Sequence, residues 1–300
     1  MTFSIVAYDE EKGQLGVAVQ SHWFAVGSMC PWIEAGVGAV ATQALVDVSY
    51  GPKCLSLLRR GINAKEALQT LLMADKNREF RQVAVVDKQG SVAVHTGKLC
   101  IREAGHSKGI HYSVQANMMK HATVWSAMAG AFENTKGDLA ERMLAALFAA
   151  QANGGDIRGK QSAAMLVVEN IKTDEPWNYQ LVNIRVDDHL EPLEELGRLL
   201  KIQRAYNLMN EGDKLMANNL NEEAKIKYSQ AAEMAPNLLE LPFWQAVTLA
   251  DTGNLEQALP LFKQIFQINP DWAELVKRLP ETGLMKNDEE VIYKILALIE

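Results

Sequence analysis

Long apolar runs, basic tracts and closely spaced cysteine pairs are all missing from this sequence of 300 residues. No apolar stretch approaches the roughly 20 residues that a helix needs to cross a bilayer. The first residues also do not form a basic region followed by an apolar core, which would indicate a secretory signal. We therefore expect a cytoplasmic protein that has no membrane partner.

The charge balance disfavours a nucleic-acid partner. The formal net charge is -7, and lysine and arginine are scattered rather than gathered into a patch. With 48% hydrophobic and 22% charged residues, the chain has the composition of a globular protein and is long enough for two domains.

The few cysteines and histidines do not have the spacing of metal ligands. Cys30, Cys54 and Cys100 are odd in number and far apart, so we expect reduced or buried thiols, and the six histidines form neither HxH nor HExxH. The segment Asp187-Asp188-His189 is the one dense group of acids and imidazole. It lies between a predicted strand and a predicted helix, where aspartate is a favoured cap, so capping is preferred over metal binding. The sequence predicts neither a metal nor a cofactor.

The first residues of the chain contain the candidate for a catalytic group. Thr2 to Ala7 alternates like a strand, a turn follows at 9–13, and Leu15 to Ser21 forms a second strand. Pairing Tyr8 with Leu15 places Thr2 opposite Ser21. If the initiator methionine is removed, Thr2 carries a hydroxyl beside an α-amine whose pKa is about 8, a possible nucleophile and base in one residue. A small residue at position 2 is also common in proteins without such chemistry.

The rest of the first 200 residues predicts an α+β fold. Strands are expected near 37–47, 83–86, 92–96, 112–117, 162–169 and 179–186, and helices near 53–60, 63–73, 121–133 and 138–151. This order suggests two sheets packed between helical layers.

Two groups of polar residues are further site candidates. Gln43, Gln115 and Asn117 lie on or at the ends of predicted strands, where their amides can donate to an oxyanion or instead satisfy backbone. A second group follows a glycine pair and offers a charged fork for a substrate carboxylate, or an ion pair that braces a loop: Asp156, Arg158, Gln161 and Ser162. His22, beside Trp23 and Phe24, is interpreted as a pocket wall or a packed ring.

Seven ordered blocks resemble the bacterial family of domains of unknown function numbered 1028. They are Thr2–Ala7, Leu15–Val19 with Ser21, Gly36–Ala44, Tyr50-Gly51-Pro52, Val114–Met118, Gly155–Ala164 and Val186–His189. That family resembles the N-terminal nucleophile (Ntn) hydrolases, so the resemblance implies a four-layer αββα sandwich over residues 1–200 and hydrolysis of an amide bond. Ala116 departs from the family pattern, which usually has glycine there, and alanine can crowd a ligand at such a position.

A repeat of 34 residues marks the C-terminal third. Gly212, Leu215, Ala224, Tyr228, Ala231 and Pro236 return as Ala246, Leu249, Ala258, Phe262, Ile265 and Pro270. This period is the tetratricopeptide (TPR) signature. We predict an all-α TPR domain over 201–300, with repeats at about 205–238 and 239–272 and a capping helix at about 286–299. The resemblance to other TPR modules implies an inner groove that is apolar and acidic and contains Tyr206, Met209, Asp213, Met216, Phe243, Val247 and Asp251.

The favoured function is an Ntn amidohydrolase that cleaves an amide in a small molecule or short peptide. Thr2 is the predicted nucleophile, and Ser21 orients its amine. The TPR domain would bind a protein partner or another copy of the chain. Two alternatives stay open: a catalytically silent Ntn-like ligand-binding domain on a TPR scaffold, and a scaffold whose essential part is the C-terminal groove.

Overall fold

The computed structural model describes residues 2–299, so Met1, on whose removal the predicted mechanism depends, and Glu300 lie outside the described residues. The chain divides into two compact units between Leu199 and Leu200. The strands are β1 (Thr2–Asp9), β2 (Gln14–Ser21), β3 (Pro31–Glu34), β4 (Gly38–Ala44), β5 (Arg81–Asp87), β6 (Val92–Thr96), β7 (Gly105–Gly109), β8 (Tyr112–Ala116), β9 (Ser162–Glu169) and β10 (Gln180–Val186). The α-helices are α1 (Tyr50–Arg59), α2 (Ala64–Ala74), α3 (Val124–Asn134), α4 (Leu139–Ala152), α5 (Pro192–Ala217), α6 (Asn221–Met234), α7 (Glu240–Asp251), α8 (Leu255–Ile268), α9 (Asp271–Thr282) and α10 (Glu289–Leu296).

The strands of the first unit form two antiparallel sheets. The larger sheet has the order β10-β9-β2-β1-β8-β7, and the smaller has the order β3-β4-β5-β6. The predicted register of the first hairpin is confirmed, since Thr2 pairs with Ser21 and Ser4 with Val19. Because strand side chains alternate between faces, this register sends Thr2, Ser4 and Ser21 to the same face of the larger sheet.

That face packs against the smaller sheet. Val6, Val17 and Val19 of the larger sheet share one buried cluster with Ala41 and Ala84 of the smaller sheet. The helices cover the two outer faces: α1 and α2 pack on the smaller sheet, and α3 and α4 pack on the larger one. The first unit is therefore an α+β structure in which two sheets lie between helices.

A close approach between α4 and β2 depends on one glycine. A Cβ added at Gly16 would lie 2.6 Å from Cε of Met143, so a side chain there would displace the ends of the Met143 and Leu139 side chains that pack on the strand. The methionine is fully buried and packs on the strand itself.

Several element boundaries differ from the sequence predictions. Helix α1 begins at Tyr50, three residues earlier than expected, because Pro52 fits in a first turn where its missing N–H costs nothing. Strands β3 and β7 were not predicted; β3 has only four residues, and β7 has the weak strand sequence GHSKG at a sheet edge.

The prediction that the Asp187-Asp188-His189 segment caps a helix through its aspartates is wrong. Arg185 Nη2 donates to Asp187 Oδ2 at 2.8 Å, and Gln161 Nε2 donates to Asp188 Oδ1 at 3.1 Å. His189 Nδ1 instead accepts from the backbone N–H of Glu191, just before α5, at 3.0 Å. The aspartates bond to neighbouring side chains because α5 begins only at Pro192.

The second unit is helical. Small residues sit at its helix contacts, with Ala224, Ala246 and Ala258 fully buried, and Phe243 and Phe262 fill the space between helices with a centroid distance of 5.9 Å. Helices α6 and α8 end two residues before Pro236 and Pro270. Helix α9 was not predicted, although Asp271 and Glu274 in its first turn favour a helix N-terminus there. Among residues 2–299, no helix combines the length and apolar character needed to span a membrane.

Candidate active site

A polar cluster lies between the two sheets at the end where β1 begins. Strand alternation brings Thr2, Ser4 and Ser21 from the first hairpin, Ser113, Gln115 and Asn117 from β8 and its end, and Gln43 and Gln82 from the smaller sheet. All eight residues are buried. Such a group of buried polar side chains is stable only where its hydrogen bonds are satisfied.

Thr2 is held at both its side chain and its backbone. Its Oγ1 donates to Ser21 Oγ at 3.1 Å, and its side chain is only 4% exposed. Its carbonyl accepts from the Asn117 backbone N–H at 3.1 Å, from Asn117 Nδ2 at 3.3 Å and from Gln43 Nε2 at 3.2 Å. These bonds fix the position of residue 2 more firmly than is usual near a chain end.

Gln82 joins the amides that hold Thr2. Its Oε1 accepts from Gln43 Nε2 at 2.7 Å and from Asn117 Nδ2 at 2.9 Å. The two hydrogens of its own Nε2 are shared among three acceptors, namely Thr96 Oγ1 and the carbonyls of Gly105 and Ala116. Gln82 therefore orients both side chains that contact the Thr2 carbonyl.

Gln115 lies behind Thr2, within the same network. Its Nε2 donates to Ser4 Oγ at 2.6 Å, and its Oε1 accepts from Ser113 Oγ at 3.0 Å. Ser4 Oγ in turn donates to Gln43 Oε1 at 2.7 Å. Ala116 alternates to the opposite face of β8 and does not line the cavity next to Thr2, so its methyl group does not narrow that cavity.

The second predicted group lies near the end of β2 and β9. Asp156 is buried and forms an ion pair with Arg158, with Nε to Oδ1 at 3.1 Å and Nη2 to Oδ2 at 2.8 Å. Asp156 Oδ2 also accepts from the backbone N–H of His22 at 3.2 Å, while His22 Nδ1 lies 3.4 Å from the Lys160 carbonyl. This group joins the 156–160 loop to the residue after Ser21.

Ser162 supports the loop that follows β2. Its hydroxyl accepts from the Val26 backbone N–H at 3.0 Å and donates to the Trp23 carbonyl. Ala25, between them, has the left-handed φ of 51°. The Gln161 side chain bonds to Asp188, while its backbone N–H donates to the Ser21 carbonyl at 3.1 Å.

A cavity of about 230 Å³ opens beside Thr2. Its lining comes from the 23–30 loop and from β4 and the residues after it: Thr2, Trp23, Val26, Met29, Cys30, Thr42, Gln43, Ala44, Leu45 and Val46. Burial raises the pKa of the Cys30 thiol to about 12, so this thiol is neutral at physiological pH. Within residues 2–299, no three His, Cys, Asp or Glu side chains come together as a metal site would require.

The comparisons with known proteins address the first unit. Residues 2–196 match the model of a family of unknown function, DUF1028. The chain belongs to the DUF1028 family. It is also similar to the crystal structure of protein SPO2555 from Silicibacter pomeroyi, a structure with the same family model, at 31% sequence identity and a TM-score of 0.60. That similarity covers 66% of this chain and 84% of the other. No curated protein matches the chain.

The matched DUF1028 region includes all the residues of the polar cluster. Gln82 was missed by the sequence analysis, although a signal was present: it is a glutamine immediately before the apolar run Val83-Ala84-Val85-Val86. The apolar cavity lining was also missed, since it depends on the course of the 23–30 loop.

Proposed function

We propose that this DUF1028 domain is an Ntn amidohydrolase with the αββα layering of that class, and that Thr2 becomes its nucleophile once Met1 is removed. The observation that carries the proposal is the position of Thr2. Thr2 lines a cavity, its hydroxyl lies 3.1 Å from Ser21 Oγ, and three donors hold its carbonyl. Such a preorganised hydroxyl beside a free amine meets the requirement for nucleophilic catalysis.

The proposed reaction needs no group other than Thr2, substrate and water. The neutral α-amine takes the hydroxyl proton while Oγ1 bonds to the amide carbon, forming a tetrahedral intermediate. The C–N bond then breaks, and the proton on the ammonium passes to the leaving amine. The resulting ester is hydrolysed by water, whose proton goes to the α-amine and then back to Oγ1, releasing the carboxylic acid.

The amides of Gln43 and Asn117 are assigned positioning roles in this mechanism. Each side-chain nitrogen has two hydrogens, and each nitrogen already contacts both the Thr2 carbonyl and Gln82 Oε1. They therefore have no hydrogen left to donate to an oxyanion. Ser21 orients the reacting hydroxyl.

Intact mass and covalent labelling test this proposal. We expect purified full-length protein to lack one methionine, and a hydroxyl-directed β-lactone probe to add to Thr2. Thr2→Ala should abolish labelling, and Thr2→Ser should retain it. Thr70→Ala is the matched control, because this hydroxyl lies on the exposed face of α2 and bonds only locally, to the Glu66 carbonyl. A retained Met1, or a label on another residue, would refute the assignment.

For the second unit we propose a TPR-type fold that binds a protein partner or a second copy of the chain. The proposal is supported by equivalent positions 34 residues apart that have equivalent burial: Ala224 with Ala258, and Tyr228 with Phe262. A groove of about 580 Å³ contains Asp213, Met216, Val247 and Asp251 of the predicted lining. Phe243 is instead fully buried, and the Tyr206 hydroxyl donates to Glu240.

Sedimentation velocity tests self-association through this groove. Leu284 lines the groove and is 57% exposed, so Leu284→Lys should shift any dimer toward monomer. Tyr293→Lys is the control, since this exposed residue lies outside the groove lining. An unchanged dimer in Leu284→Lys would exclude the groove as the interface.

A further inference from the structure

The cavity beside Thr2 has an unusual chemical lining for a site that acts on an amide. Among the described residues, none of those that line it has a side chain ionised at neutral pH. Apart from the α-amine freed by removal of Met1, a substrate group in this cavity meets no formal charge. A carboxylate or ammonium placed there would lose its hydration without gaining an opposite charge.

The Thr42 hydroxyl and the Gln43 amide, two polar groups of the lining, are already used within the protein. Thr42 Oγ1 donates to the Asp47 carbonyl at 3.2 Å. Gln43 uses its Nε2 on the Thr2 carbonyl and Gln82, and its Oε1 accepts from Ser4. What these residues offer a ligand is therefore mainly the apolar surface of Val26, Met29 and Leu45.

The cavity volume limits the size of this group. An apolar cavity of about 150 Å³ is enough for a benzene-sized molecule. At about 230 Å³, the Thr2 cavity has room for a phenyl ring or a branched alkyl chain. Trp23 and Leu45, which are 51% and 60% exposed, place further apolar surface in its wall.

We propose that the cavity binds the acyl group of the substrate, and that this group is uncharged, apolar and of branched-alkyl to phenyl size. This inference rests on the proposed function, because it uses Thr2 as the group that attacks the carbonyl. It separates the Thr2 cavity from the Asp156–Arg158 pair, whose guanidinium binds the neighbouring carboxylate. The substrate class is thus neutral amides of apolar carboxylic acids.

Two amides of the same shape test the inference by binding alone, without cleavage of the amide bond. In 4-methylpentanamide an isopropyl group occupies the place of the carboxylate in succinamate, so the pair differs mainly in charge. We expect the full-length Thr2→Ala variant to bind 4-methylpentanamide about tenfold or more tighter in calorimetry, as burial of two methyl groups implies. Equal binding, tighter binding of succinamate, or binding of neither amide would overturn the inference.

A charged residue introduced into the wall of the cavity beside Thr2 tests whether the amide binds there. Val46→Lys should weaken 4-methylpentanamide and strengthen succinamate, because the added ammonium attracts the carboxylate. Val48→Lys is the matched control, since Val48 is likewise half-buried but lies outside the lining. The same change of preference in both variants would show that the effect is a general one of surface charge, and would overturn the location.

Turnover by the wild-type chain separates this inference from the proposed function. We expect the p-nitroanilide of 4-methylpentanoic acid to be cleaved with a higher kcat/KM than that of succinic acid. Binding of 4-methylpentanamide without cleavage of either anilide would leave an apolar ligand pocket beside Thr2 standing and refute the hydrolase. Cleavage that prefers the succinyl anilide would support the hydrolase and refute the apolar acyl pocket.

Discussion

Gln82 holds Thr2 in position indirectly, through other side chains. It does not contact the Thr2 hydroxyl, yet its Oε1 accepts from both amide groups that hold the Thr2 carbonyl. Its Nε2 ties the same point to Gly105 and Ala116 in the larger sheet. One side chain thus links the two sheets at the end where Thr2 lies.

Replacing this side chain tests its role. We expect Gln82→Met, which keeps the shape, to destabilise the first unit by about 2–4 kcal/mol, because buried groups lose their partners at roughly 1–3 kcal/mol each. Probe labelling of Thr2 should fall as well, since Gln43 and Asn117 lose their common acceptor. Urea unfolding and the labelling rate measure the two effects.

The control for this prediction is Gln180→Met. Gln180 is exposed on β10, and its Oε1 accepts from Asn183 at 3.1 Å, so its replacement should change stability by less than about 0.5 kcal/mol. If Gln82→Met labels Thr2 at the wild-type rate, Gln82 is not a positioning residue.

At the scale of elements, the sequence determines the first hairpin best. Alternation from Thr2 to Ala7 and a turn of known length leave a single register, and β1 and β2 adopt it. Asn63 caps α2 by accepting from the Glu66 N–H at 3.0 Å, a role that an asparagine at the start of the predicted 63–73 helix favours. Strand β7 could not be predicted, because its pairing with β8 depends on the sheet and not on its own residues.

The candidate site was predictable only in part. The sequence identified Thr2 and Ser21 because their pairing follows from local periodicity. It could not identify the common acceptor Gln82, since that role depends on how two separate sheets face each other. The two possible uses of Asp156 and Arg158 also required the tertiary structure, which shows them paired with each other.

Helix α1 packs on the smaller sheet through a glycine. A Cβ at Gly51 would lie 2.2 Å from Cγ of Trp32, and the ring is fixed by the bond from its Nε1 to the Met29 carbonyl at 3.0 Å. We expect Gly51→Ala to destabilise the unit by about 1–3 kcal/mol through overpacking. Urea unfolding monitored by tryptophan fluorescence measures the loss.

Helix α3 contains a glycine with the opposite expectation. Nothing lies within 4 Å of a Cβ added at Gly130, and the residue is inside the helix. Gly130→Ala should therefore stabilise the unit by about 0.5–1 kcal/mol, the usual helix-propensity difference. Because both substitutions add the same methyl group, stabilisation in both variants would show that Trp32 moves freely and that the contact with α1 is weak.

At the scale of the whole molecule, several groups that ionise at high pH are buried. Burial raises the pKa of Cys30 and of Cys54 from 9.0 to about 12. Burial, together with the nearby Asp75 and Glu133 carboxylates, also raises the pKa values of Tyr50 and Tyr112. In the second unit, burial and Asp213 raise the pKa of Tyr228. The folded state therefore favours the protonated form of each of these groups.

These raised pKa values predict that the folded protein becomes less stable at alkaline pH. Between pH 9 and 12 the unfolded chain releases thiol protons that the folded chain keeps, so the free energy of unfolding falls as pH rises, by on the order of 1 kcal/mol per pH unit for each thiol. Below pH 9 the contribution of the two thiols to the free energy of unfolding is fully present. Urea midpoints at pH 8, 9 and 10.5 measure the decline.

Two substitutions in the same buried cluster test whether a thiol causes the fall in the free energy of unfolding at high pH. Cys54→Ala and Val85→Ala both remove packing between α1 and the smaller sheet, and both should lower stability at pH 8. Only Cys54→Ala removes a titrating group, so its loss of stability from pH 9 to 10.5 should be smaller than in wild type by about 2 kcal/mol, while Val85→Ala keeps the wild-type slope. Equal slopes in the two variants would mean that the Cys54 thiol ionises as readily in the folded protein as in the unfolded chain, which its complete burial at the inner face of α1 argues against.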